Sequence, residues 1–252
     1  MRKLTKMLLI AGVVSAPSLM VSTSAMAEEA AAASPISANV TLASEYVYRG
    51  ISQTREKMAL QGGFDYAHAS GFYAGVWGSN ISWLEDVGAG ASSSVEIDLY
   101  GGYKGKINDD FSYDVGYLRY EYPGSYPAGF VSPNTDELYV AGSYKMFTLK
   151  YSHSLSNLFG YDNSKGSSYI DASANFDLGS GFSLGLHAGH QKIKNYSDFS
   201  YTDYKVGVTK DFGGGLSVTG AYIDTNADDN LYTVKGSKIA DGRFVLSVTK
   251  AF

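Results

Sequence analysis

The sequence predicts an all-β protein, a transmembrane antiparallel β-barrel of about twelve strands, and three observations carry this. The chain ends on Phe244-Val245-Leu246-Ser247-Val248-Thr249-Lys250-Ala251-Phe252, with Phe244, Leu246, Val248 and Phe252 on one face and Arg243, Ser247 and Thr249 on the other, the period of a strand with one greasy and one wet side. It begins with the marks of export. Between these ends, alternating segments are joined by connections that are long and short in turn, and no apolar run approaches the roughly 20 residues a membrane helix needs. Barrel strands cross a bilayer without such a run, because only alternate residues face lipid.

Residues 1–27 read as a secretory signal peptide. Arg2, Lys3 and Lys6 form the basic start, Met7 to Val21 the apolar stretch, and Ala25-Met26-Ala27 the small-residue cleavage site. Gly12, Ser15, Pro17 and Ser18 interrupt a run already too short for an anchor. Residues 28–36 are a short leader, and 37–252 the barrel. Of 20 basic and 25 acidic residues, the signal peptide holds three cations, leaving 17 against 25 and a net charge of −8. That gives no electrostatic case for nucleic acid. With no cysteine, disulfides and thiolate metal sites are excluded. Abundant Tyr (21) and Gly (29) beside only 5 Pro favour many strands, tight turns and aromatic belts.

Taken in order, strands are expected near 37–49, 58–68, 72–83, 92–104, 111–122, 135–145, 147–156, 167–178, 182–194, 201–212, 216–225 and 242–252. Ala69-Ser70-Gly71, Asn108-Asp109-Asp110, Gly179-Ser180-Gly181 and Gly213-Gly214-Gly215 are turn signals between neighbours. Pro123-Gly124 opens a longer loop, and a polar loop fills 226–241. Short turns on one side and long loops on the other are the habit of outer-membrane barrels, and an even strand count leaves both termini on the periplasmic side. Ten or fourteen strands fit the same pattern.

The segments Ser37-Ala38-Asn39-Val40-Thr41-Leu42-Ala43-Ser44-Glu45-Tyr46-Val47-Tyr48-Arg49-Gly50-Ile51-Ser52-Gln53, Ala59-Leu60-Gln61-Gly62-Gly63-Phe64-Asp65-Tyr66 and Ser70-Gly71-Phe72-Tyr73-Ala74-Gly75-Val76-Trp77-Gly78-Ser79-Asn80 resemble the N-terminal signature of the TorF porin family of proteobacteria. The resemblance is dense over 37–104 and looser to the C-terminus. It implies a Gram-negative outer-membrane location and a channel, and supplies no substrate. The last strand also resembles the closing strand of outer-membrane barrels, whose assembly machinery reads a terminal aromatic. Phe252 is therefore the expected assembly signal; Lys250 departs from that pattern, and its stem is long enough to snorkel to water.

Alternation puts Val40, Leu42, Tyr46 and Tyr48 toward lipid and lipopolysaccharide, and Glu45, Val47 and Arg49 toward the lumen, with Glu45 and Arg49 roughly 13 Å apart on one strand. The same rule gives lumen acids Asp65, Glu96, Asp98, Asp114, Asp171, Asp177 and Asp211, and lumen bases Lys104, Lys150, Lys205 and Arg243. Facing lipid, such charges would cost roughly 2–4 kcal/mol each at mid-bilayer. Tyr46, Tyr48, Tyr66, Tyr103, Tyr113, Tyr117, Tyr151 and Tyr222 suit interfacial girdles. The expected function is passive diffusion of small hydrophilic solutes or ions through a narrow, mildly acidic lumen with a weak cation preference. The alternative is a closed structural barrel that presents its loops, and behind it an outer-membrane lipid-modifying enzyme.

No cofactor, metal or catalytic site is expected. His68-Ala69-Ser70 falls on a short turn, and His153 and Ser154 point to opposite faces. His187 and His190, three apart on a strand, cannot chelate together. Asp224 to Asn230 looks like a calcium loop but lacks its sixth-position glycine, and Lys235 stands where the bidentate acid belongs.

Overall fold

A computed structural model describes residues 34–87 and 90–252; the signal peptide and most of the leader lie outside the described residues. The barrel strands are β1 (Ile36–Ala43), β4 (Ala59–Ala67), β5 (Phe72–Asn80), β6 (Val95–Lys106), β7 (Phe111–Glu121), β8 (Thr135–Tyr144), β9 (Phe147–Ser154), β10 (Ser168–Gly179), β11 (Phe182–Lys192), β12 (Tyr201–Gly213), β13 (Leu216–Thr225) and β16 (Arg243–Ala251). Two short hairpins stand apart from the wall: β2 (Val47–Tyr48) with β3 (Ile51–Ser52), and β14 (Thr233–Val234) with β15 (Ser237–Lys238).

Each wall strand pairs antiparallel with its neighbour in sequence, and β1 pairs with β16 through Asn39↔Ala251 to Ala43↔Ser247, closing a ring of twelve. Closure leaves no strand edge unpaired, the condition for backbone to lie in hydrocarbon. At one end the strands are joined by the brief turns 68–71, 107–110, 145–146, 180–181 and 214–215. Gly213, Gly214 and Gly215 all take positive φ, which lets β12 reverse into β13 with no Cβ penalty. The opposite end carries the long loops 44–58, 81–94, 122–134, 155–167, 193–200 and 226–242, with a single helical turn α1 (Trp83–Asp86) in the second.

The pleat sorts the side chains. Leu60, Phe64, Leu99, Val140, Leu149, Val206 and Leu246 stand exposed on the outer wall, while Gln61, Glu96, Ser152, Thr209 and Ser247 are buried inside. The outer belt suits hydrocarbon and the inner wall suits water. Tyrosines split between the two sides. Tyr66, Tyr103, Tyr117, Tyr151 and Tyr222 are exposed outside and Tyr113 partly so. Tyr73, Tyr100, Tyr139 and Tyr169 lie across the inner wall over facing glycines; the Tyr169 ring covers Gly189, where any Cβ would overlap it.

One correction concerns the first strand. It ends at Ala43, and 44–58 leaves the wall after Ser44 donates to the Leu246 carbonyl at 2.8 Å. Tyr46 and Tyr48, expected toward lipid, lie inside the barrel instead. The alternation continued past Ala43 because the departing segment is itself a β-hairpin and keeps the same period.

Candidate functional site

The inward loop 44–58 is the feature around which the lumen is organised. At its tip Arg49 (φ 46°) and Gly50 (φ 79°) turn the chain. Gly50 fits because a Cβ there would fall 2.7 Å from the Cβ of Asp203 and closer still to the Thr225 methyl. In the ring, β9 and β10 stand opposite β1 and β4, and Arg49 crosses to that far side. Its guanidinium donates through Nη1 and Nη2 to both Glu137 carboxylate oxygens on β8, at 3.1 and 2.7 Å, and through Nη1 to Gln191 Oε1 on β11 at 2.7 Å. It lies between the Tyr169 ring (4.3 Å to the centroid) and that of Tyr48 (4.9 Å). Bidentate pairing and aromatic stacking are the interactions a planar guanidinium makes best.

The rest of the hairpin is tied equally firmly. Tyr46 donates to Glu96 at 2.7 Å and the Tyr48 and Tyr120 hydroxyls meet at 2.5 Å. At the hairpin base Glu45 accepts from the Ser52 hydroxyl, from the Glu56 amide at 2.9 Å and from Arg243 at 2.8 Å. Glu45 at the base and Arg49 at the tip of one loop thus bind different walls, where the sequence placed them on one strand.

The remaining predicted charges line the inner wall below. Asp65 accepts from Tyr100 and Asp114 from Tyr73, each at 2.6 Å. Lys104 and Lys150 lie over the rings of Tyr73 and Tyr139, at 5.4 and 3.9 Å. Asp171 reaches His187 at 3.1 Å, and Lys205 pairs in register with His187 across β11 and β12. Asp177 and Asp211 sit at the turn end, where each carboxylate takes the backbone amide two residues on, at 2.8 and 2.7 Å. Asp98 is fully buried between Trp77 and Tyr120 in register, and neither of its oxygens finds a hydrogen-bond partner among the described residues.

Sequence reasoning missed Glu137, Gln191, Tyr169, Asp203 and the inward His187. Glu137 shares the inward parity of Tyr139, and Asp203 that of Lys205, so the alternation already applied would have found both. That they converge on a loop tip had no sequence signal. Asp203 accepts from Tyr169 at 2.9 Å and contacts His187 Nε2 at 2.8 Å.

The hairpin divides the interior. On the loop side lies a cavity of about 390 Å³, and on the turn side one of about 70 Å³ bounded by Arg49, Gly50, His187, Asp203 and Lys205. Among the described residues none lines both. The loops over the larger cavity are clamped by Asp86, which pairs with Arg55 at 3.3 Å and Lys235 at 3.1 Å. Burial pushes the Asp86 carboxyl up, but the Ser82 hydroxyl, Lys235 and Arg55 outweigh it and hold the group below its ordinary value.

The other motifs resolve locally. The His68 Nδ1 lies 2.7 Å from the Ser70 hydroxyl and accepts from the Ser70 amide, closing the β4–β5 turn. Asp228 accepts from the Asn230 amide, and Asp229 pairs with Lys238 at 2.5 Å. The Lys250 ammonium donates to the Gly214 carbonyl in the neighbouring turn.

Comparison with curated proteins gives no match. Among solved structures, the KdgM porin superposes with a TM-score of 0.58 at 11% identity, over 86% of this chain and 99% of its own. KdgM in complex with disordered oligogalacturonate gives 0.55, and the NanC porin 0.53 over 86% of this chain and 98% of its own, both at 11% identity. At such identity the likeness is one of fold. The matching family carries a different name from TorF, so that resemblance rests on the residues quoted for it. The family profile spans residues 27–252, the whole described barrel, and the chain belongs to that family: Gcw_chp, described as a bacterial protein of unknown function.

Proposed function

We propose that this protein is an outer-membrane channel of porin type for small solutes, its lumen constricted by the 44–58 hairpin. The observation that carries this is a charged loop tip fastened across a polar-lined barrel, with cavities on both sides. The long loops face outside and the short turns face the periplasm; the outer belt meets lipid and lipopolysaccharide. Phe252, exposed at the end of β16, is the residue offered to the assembly machinery. Diffusion needs no catalytic group. Lumen acids exceed lumen bases even with Arg49 and Arg243 counted, which supports a weak cation preference.

A second reading has one observation in its favour. The Arg49–Glu137 pair crosses the lumen, as a permanently closed, loop-presenting barrel would require. Single-channel recording decides between them, using the native chain and a variant with residues 46–53 replaced by Gly-Ser-Gly, and reading reversal potential under a salt gradient. The expected result is small, cation-biased steps from the native chain and larger steps from the variant. Silence from both, with both folded, would overturn the channel.

A further inference from the structure

We infer that the cavity above the hairpin is a binding site for a compact, uncharged, ring-bearing molecule that is mostly apolar, so that the channel captures such a molecule before passing it. The inference rests on the channel reading for its purpose, but not for the site itself. At about 390 Å³ the cavity lies within the range of small-molecule sites. Its walls are aromatic and aliphatic, drawn from all six long loops: Trp83, Phe130, Phe159, Tyr161, Phe199 and Tyr232 present rings, and the hairpin supplies the floor with Tyr48 and Ile51.

Most of the polar groups on these walls are already engaged, which decides the ligand class; the Trp83 indole N–H has no partner among the described residues and is itself buried. Arg55 and Asp86 hold each other, and Asp86 also holds Lys235. Gln53 donates to the Ile51 carbonyl, while Gln191 accepts from Arg49 and donates to the Ser168 carbonyl. The Tyr48 hydroxyl is bonded to Tyr120, and that of Tyr232 to the Phe199 carbonyl. A sugar entering here would surrender its hydration and find these groups taken, which is costly. A cation would meet two positive charges sharing one carboxylate, and an acid could reach Arg55 only by competing with Asp86 for it. An apolar ring loses little in leaving water and gains stacking on several faces.

The test is isothermal titration of the protein in lipid nanodiscs with 4-nitrobenzyl alcohol, subtracting empty discs, and with methyl α-glucoside as the polar control. The alcohol should bind saturably at one site and the glucoside should not. Phe130→Ala removes a ring that packs on Tyr126 alone among the aromatic pairs, and should weaken the alcohol at least about fivefold. Phe199→Ala serves as the second variant and should do the same. Uptake that only matches empty discs, saturable binding of the glucoside instead, or unchanged affinity in both variants would overturn the assignment. Binding is read at equilibrium, so a silent channel that binds the alcohol would sink the channel and keep the site. A conducting channel that does not bind it would do the reverse.

Discussion

Arg49 joins three kinds of contact at one point: a two-pronged ion pair, a side-chain amide and two aromatic faces. Removing it would leave Glu137, nearly inaccessible, as a buried charge without its partner. Arg49→Met should therefore cost about 3–5 kcal/mol in urea unfolding. Glu137→Gln in the same chain should recover a large part of that loss, the coupling that a double-mutant cycle measures. Asp98 presents the opposite case, a buried carboxylate whose two oxygens have no hydrogen-bond partner among the described residues. Replacing such a group with an apolar side chain of similar size relieves a desolvation penalty of about 1–3 kcal/mol. Asp98→Val should raise the midpoint of unfolding, and a fall would mean that Asp98 has a partner supplied by solvent or solute.

At the scale of elements, backbone bonds from Ser52 to the Ile239 carbonyl and from Ser82 and Trp83 to the Gln53 carbonyl join the hairpin to the loops above it. Asp86 adds the ionic joint between loops 44–58, 81–94 and 226–242. Its folded carboxyl sits below the ordinary value of 3.8, so it stabilises the loop cluster above that pH. The contribution is lost as pH falls through the lowered value. Trp83, at the start of the same helical turn, reports on this. Its emission should shift to the red only below about pH 3.8, and Asp86→Asn should show the shifted spectrum already at neutral pH. Emission unchanged in both would mean the cluster closes without this joint.

For the whole molecule, the wall and the plug are separable. Every ladder of the ring runs between the twelve long strands, and the β2–β3 pair contributes none of them. The barrel of the 46–53 replacement should hence still form and keep its heat-modifiable mobility, while its conductance rises. Loss of the barrel would mean that the plug is needed to assemble the wall. The charges divide in the same way. Those in mid-wall, such as Lys150 over Tyr139 and Asp114 with Tyr73, follow strand parity. Those of the partition, Glu45 and Arg49, follow the path of a loop.

The sequence by itself determined an antiparallel barrel of about twelve strands, the side each wall residue faces and the end that carries the long loops, and the closed ring settled the count at twelve. A period of two with charges confined to one face has one inexpensive solution in a bilayer, and that solution is local along each strand. Tertiary structure decided what crosses the lumen. Residues 45–49 alternate as well as any strand, so nothing local separates a β-hairpin inside the barrel from a strand in its wall. The difference comes from partners 88 and 142 positions away, Glu137 and Gln191, which the closed ring brings opposite β1 and β4. Long-range pairing of that kind exists only once the ring has closed.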